Sequence, residues 1–82
     1  MDTQLGEGIS ALEADDWDRA HEIAQDDHTQ QGSWLHGIVH RAEGDEGNAR
    51  YWYARAGRHF DPNTTVEAEL AELRSQLVSD DF

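Results

Sequence analysis

The sequence predicts an all-α domain of about five short helices, and three observations predict it. Apolar residues recur three and four positions apart along most of the chain, which is the helical period. Gly44 and Gly57 each follow such a stripe directly, where a glycine lets a helix end in the left-handed conformation. Asp15, Ser33, Asp45 and Thr64 each precede one and offer a side-chain oxygen to the free N–H groups of a first turn.

Taken in order, Leu5, Ile9 and Leu12 form the stripe of the first helix. A second helix, entered at Asp15, puts Trp17, Ala20, His21, Ala24 and His28 on one face, with His21 and His28 half-buried beside Trp17. Thr29-Gln30-Gln31-Gly32 reads as a polar break, and Ser33 as the cap of a third helix that buries Leu35, Ile38, Val39 and Ala42 before it stops at Gly44. Asp45 caps a fourth helix, which packs Ala49, Trp52, Tyr53 and Ala56. After the loop at Asp61-Pro62-Asn63, Thr64 and Glu67 make a capping box for a fifth, whose Val66, Leu70, Leu73 and Leu77 form a narrow seam. Residues 1–82 then form a single helical domain with an acidic flexible tail at about 79–82.

Eighty-two residues leave room for one core. The chain has no Cys, so neither disulfides nor thiolate metal knots support it. Six Arg and no Lys stand against 18 Asp and Glu, a net charge of −12. That field repels phosphate backbones and anionic lipid, so no nucleic acid and no membrane is expected as a partner. Acidity, Asp in excess of Glu and the missing Lys fit a halophilic protein adapted to a high-salt cytoplasm, where screening suppresses self-repulsion. The first residues carry neither a basic region nor an apolar run, and no apolar stretch is long enough to span a bilayer. A cytoplasmic location is the expectation.

A weak internal repeat runs through this plan. Asp15-Asp16-Trp17 with Ala20 and Ala24 echoes Gly44-Asp45 with Ala49 and Tyr53: a turn, a small residue five positions on, and a packing residue four beyond that. Gly37, Gly44, Ala49, Tyr53 and Ala56 have the spacing of a tetratricopeptide unit, and the chain resembles one in its antiparallel helical-hairpin bundle. The copies lie 29 residues apart and Ser33 stands where that family has Trp, so the likeness implies hairpin geometry and not peptide binding.

Chemistry is concentrated on one face. At about 100° per residue, His36, His40 and Glu43 fall within about 60° of one another beside the Leu35–Val39 stripe. Two His one turn apart can reach one cation, and Glu43 can add an oxygen. His21 and Gln25 present a matching edge on the second helix; Asn48, Tyr51 and Arg55 share a stripe on the fourth. The metal set is His36, His40 and His21, with a divalent metal ion as the candidate cofactor. The bland reading gives these His backbone hydrogen bonds, and Arg41 and Arg50 surplus carboxylates to pair with.

The leading expectation is a ligand- or protein-binding module that uses this His/Glu-rich face, its partner a small ligand or a protein. The alternative is a metal-dependent, hydrolase-like enzyme in which His36, His40 and His21 or a carboxylate hold the ion while Tyr51 or Glu43 handles protons. Position 37 is Gly, so the Glu of a zinc-protease motif is missing, and Ser10, Ser33, Ser75 and Ser79 have no triad neighbours in sequence. A third reading is assembly, a homodimer through the helix at 66–77 that covers its apolar seam; the intrachain alternative packs that seam on the fourth helix.

The blocks His21-Glu22-Ile23-Ala24-Gln25, Gly32-Ser33-Trp34-Leu35-His36-Gly37-Ile38-Val39-His40-Arg41, Glu43-Gly44-Asp45 and Asn48-Ala49-Arg50-Tyr51-Trp52-Tyr53 resemble a family of small uncharacterised proteins. Its pattern is H-x-I-x-Q … G-S-x-x-H-G-I-x-H-R-x-E-G-D-x-x-N-A-x-Y-W, and the likeness covers roughly positions 17 to 59. It fades before Gly32, where Gln30-Gln31 replaces a Thr-Pro step, and after Gly57. The resemblance implies a shared helical fold and no activity. It marks His21, Gln25, His36, His40, Arg41, Glu43, Asn48 and Tyr51 as binding residues.

Overall fold

The computed structural model describes residues 3–79, and five helices occupy most of them: α1 (Thr3–Glu13), α2 (Trp17–Gln25), α3 (Gln30–Ala42), α4 (Glu46–Arg55) and α5 (Val66–Ser79). No strand occurs among the described residues, so the chain is all-α. Helix α5 runs through Ser79, and the rest of the expected acidic tail lies outside the described residues.

Three helices end in one kind of turn. At the end of α3, Asp45 N–H donates to His40 O at 2.9 Å and Gly44 N–H to Arg41 O at 3.1 Å, with Gly44 at φ 85°. Arg58 and Gly57 close α4 onto Tyr53 O and Ala54 O in the same way, with Gly57 at φ 69°. This double closure satisfies the last carbonyls of a helix and needs a left-handed residue, for which glycine carries no steric cost. Asp15 takes that place after α1 at φ 62°, a conformation Asp tolerates better than most residues.

The next residue in two of these turns caps the following helix. Asp16 accepts from Arg19 N–H, and Asp45 from Asn48 N–H, both at 3.3 Å and with nearly the same backbone angles. The repeat in the sequence is therefore a repeat in space. Left-handed residue, Asp cap and a fully buried Ala (Ala20, Ala49) recur in α1–α2 and α3–α4.

Four expectations shift. Asp16 caps α2, because Asp15 is spent on the left-handed turn. α3 starts earlier than expected: Thr29 Oγ1 accepts from Gly32 N–H at 3.0 Å, so Gln30-Gln31-Gly32 is the first turn and Ser33 lies inside the helix. Gly32 is there because a Cβ would meet the Asp27 carbonyl oxygen, with Asp27 Oδ1 2.6 Å away. α5 is capped by Thr65, which accepts from Ala68 N–H at 3.1 Å; the carbonyl of Thr64 accepts instead from Arg41. His28 lies beyond the end of α2 and is exposed, so it does not share that helix's face.

α3 is the central element. Every residue from Gly32 to Val39 is buried, and α1, α2, α4 and α5 all pack against it. The core joins Leu5, Ile9 and Leu12 to Leu35, Ile38 and Val39, with Leu70 and Leu73 from α5. α5 rests on α3 and α1 rather than on α4. Leu70 and Leu73 are buried, and Val66 and Leu77 pack partly buried against the core, so most of the seam is covered within the chain.

Gly37 sets the approach of α4. A Cβ there would overlap Tyr53 Cδ1, stand 2.7 Å from Cε1 and lie 3.3 Å from the Ala49 carbonyl oxygen. Tyr53 is buried and has nowhere to go. Gly37→Ala is expected to destabilise by about 1–3 kcal/mol, overpacking outweighing the gain in helix propensity. Gly6→Ala, with open space around it, serves as the control and should be neutral or stabilising in the same urea titration. Equal stability gains in both variants contradict the close packing described.

Candidate metal centre

His36 and His40 stand one turn apart on α3, and His21 reaches them from α2. The His21 ring centroid is 4.6 Å from that of His36 and 5.4 Å from that of His40, edge-on to both. His36 and His40 stack on each other at 5.0 Å. One ligating nitrogen from each of the three lies within 4.8 Å of the others. Imidazoles from the second and third helices thus meet in one space.

α4 closes one side. Trp52 stacks on His36 at 3.8 Å, nearly parallel at 11°. His36 is buried; desolvation, and then the neighbouring His21 and His40, push its pKa down to about 4. It is neutral near pH 7, the state in which imidazole binds a metal.

Glu43, just past α3, brings Oε1 to 3.2 Å from His40 Nδ1, though not in line for a hydrogen bond. Among the described residues, that nitrogen is the buried side-chain polar atom without a hydrogen-bond partner. Leaving such an atom unsatisfied costs about 1–3 kcal/mol, which ligation or a proton shared with Glu43 would recover.

A cleft of about 280 Å³ opens beside the rings, lined in part by His21, Gln25, Asp27, His36, Trp52 and Arg55. Gln25 therefore shares the histidines' space. Tyr51 is exposed, edge-on to Trp52 at 5.2 Å, with its hydroxyl 3.4 Å from Arg55 Nη1. Asn48 does not join them: its side-chain amide donates to Asp45 Oδ2 at 2.7 Å and reinforces the α4 cap. That bond, with the backbone N–H of Asn48, holds the Asp45 carboxyl below its usual range.

Arg41 points the other way, into a buried network that the sequence reading missed. Its Nη1 bonds Glu69 Oε1 at 3.0 Å, its Nη2 bonds Asp61 O at 2.6 Å, and its guanidinium lies over Phe60. Glu69 Oε2 also accepts from Trp34 Nε1 at 3.0 Å and from the Tyr53 hydroxyl. Burial first, and then the Glu69 carboxylate, raise the Tyr53 pKa. The signal for Glu69 was an acid set among Val66, Leu70 and Leu73, inside the apolar arc of its helix.

No family model, curated protein or solved structure matches this chain. No helix among the described residues is long and apolar enough to cross a membrane.

Proposed function

We propose that this domain is a metal-binding module, in which His21, His36 and His40 hold one divalent transition-metal ion. The observation that carries the reading is the meeting of three imidazole nitrogens from two helices within 4.8 Å. Three His are a donor set suited to zinc, and to nickel or iron when further positions are filled. With Zn–N bonds of about 2.0–2.1 Å the nitrogens must draw closer together, by rotation of the three side chains.

Two further features support it. His36 is neutral near pH 7, so its nitrogen has no proton to lose before it ligates. Glu43 Oε1 lies 3.2 Å from His40 Nδ1, from where a turn of either side chain would let it accept that N–H and fix the ring, as carboxylates behind metal-bound imidazoles do, with Nε2 left to ligate. Three protein ligands would leave a coordination position open, as at catalytic zinc sites, and the hydrolase alternative would use that same position.

Elemental analysis of protein expressed with metal supplement tests this. One equivalent of zinc, nickel, iron or manganese per chain is expected, with His40→Ala weakening binding by at least about 100-fold through loss of one ligand. A metal-free product under all four supplements, or a His40→Ala variant as fully loaded as the parent, contradicts it.

A further inference from the structure

We infer that the cleft beside the histidines takes a small carboxylate, with one oxygen on the bound metal and the other on Arg55; this rests on the metal reading above. The first observation is a pattern of charge. Five of the six arginines have a carboxylate within 4.0 Å: Arg19 with Glu7, Arg41 with Glu69, Arg50 with Glu46, Arg58 with Glu72 and Arg74 with Glu13. Arg55 has none among the described residues, in a chain where acids outnumber Arg by 18 to 6. Its contacts are the Tyr51 hydroxyl and the Tyr51 and Trp52 rings, which leave most of its donors unused.

The second observation is where that guanidinium stands. Arg55, His21 and His36 line the same cleft, and His36 and Arg55 both rest on Trp52: His36 stacks on it at 3.8 Å, and the Arg55 Cζ lies 5.3 Å from its ring centroid. A metal with an open position and an unpaired guanidinium on one wall make a two-point receptor for an oxyanion. The planar fork of Arg matches the two oxygens of a carboxylate. The Trp52 ring supplies apolar surface for the rest of the ligand.

Charge selects a monoanion. The chain carries −12, and Asp27 stands in the cleft with its Oδ1 accepting from Thr29 N–H at 2.8 Å. A dianionic phosphate meets more of that repulsion than a carboxylate does.

Cobalt(II) reports on both layers. The full chain is loaded with cobalt and titrated with sodium propionate, and in parallel with inorganic phosphate, while the visible ligand-field absorption is followed. Propionate is expected to shift the spectrum saturably. Arg55→Gln, a change at an exposed position, should weaken propionate by about 10-fold or more, the worth of a charge-assisted hydrogen bond, and leave cobalt affinity unchanged. Equal propionate affinity in the two proteins, or tighter binding of phosphate than of propionate, overturns the carboxylate assignment and leaves the metal reading standing. Failure of the parent chain to bind cobalt overturns both.

Discussion

Glu69→Ala is expected to lower the free energy of unfolding by about 3–5 kcal/mol, the usual cost of removing one partner from a buried ion pair. Glu69 and Arg41 have side chains only 7% and 11% exposed, and the same carboxylate receives Trp34 Nε1 and the Tyr53 hydroxyl. Removing it strands a charged guanidinium and two buried donors together. Arg41 keeps its bonds to the carbonyls of Asp61 and Thr64, which hold the α4–α5 connection, but those carbonyls do not neutralise it. A domain of this size is stable by about 4–12 kcal/mol, so the loss takes a large share of its stability. Urea titration followed by circular dichroism measures the loss. A cost below about 1 kcal/mol contradicts the view that Glu69 joins α3, α4 and α5.

His36 alone should lower the stability of the metal-free protein by about 2 kcal/mol as pH falls from about 7 to 5, and by about 3 kcal/mol at about pH 4. The cause is His36, whose pKa drops from 6.5 in the unfolded chain to about 4 in the fold. Above 6.5 both states hold the ring neutral, and folding is independent of its proton. Below 6.5 the unfolded chain takes up a proton that folded His36 refuses, so acid favours unfolding until the folded ring also titrates. Denaturant midpoints at several pH values should show the decline, and His36→Gln should remove most of it. A pH dependence from 7 to 5 that is the same in the parent and in His36→Gln contradicts the buried, neutral state of this imidazole.

Much of the fold was legible because it is written locally. The stripes at Leu5, Ile9 and Leu12 and at Leu35, Ile38 and Val39 carry the helical period, and Gly44 and Gly57 mark stops that only a left-handed residue makes. Where local signals tie, tertiary packing decides. Gln30-Gln31-Gly32 has the composition of a break, yet the Thr29 cap and the crowding of Gly32 by Asp27 make it a first turn.

The candidate site divides in the same way. His36, His40 and Glu43 share a ridge by spacing alone, and His21 joins them because α2 packs on α3. Arg41 is next to His40 in sequence, but consecutive helical residues point about 100° apart, which turns it toward α5 and away from the rings. Asn48 follows its cap residue by three, so its amide reaches Asp45 before anything else. Trp52 falls on the packing stripe by its spacing, and no short-range pattern shows that its outer face stacks on His36. Glu69 lies 28 positions from Arg41 and 35 from Trp34, a separation at which sequence carries no pairing signal.

X-ray absorption at the zinc edge of the zinc-loaded domain is the most direct test of the centre. Three imidazole nitrogens at about 2.0–2.1 Å, with the outer-ring scattering of histidine and one light atom completing the shell, are the expected result. A shell of oxygen ligands without imidazole scattering would mean that the ion sits on surface carboxylates, and that His21, His36 and His40 only pack against one another.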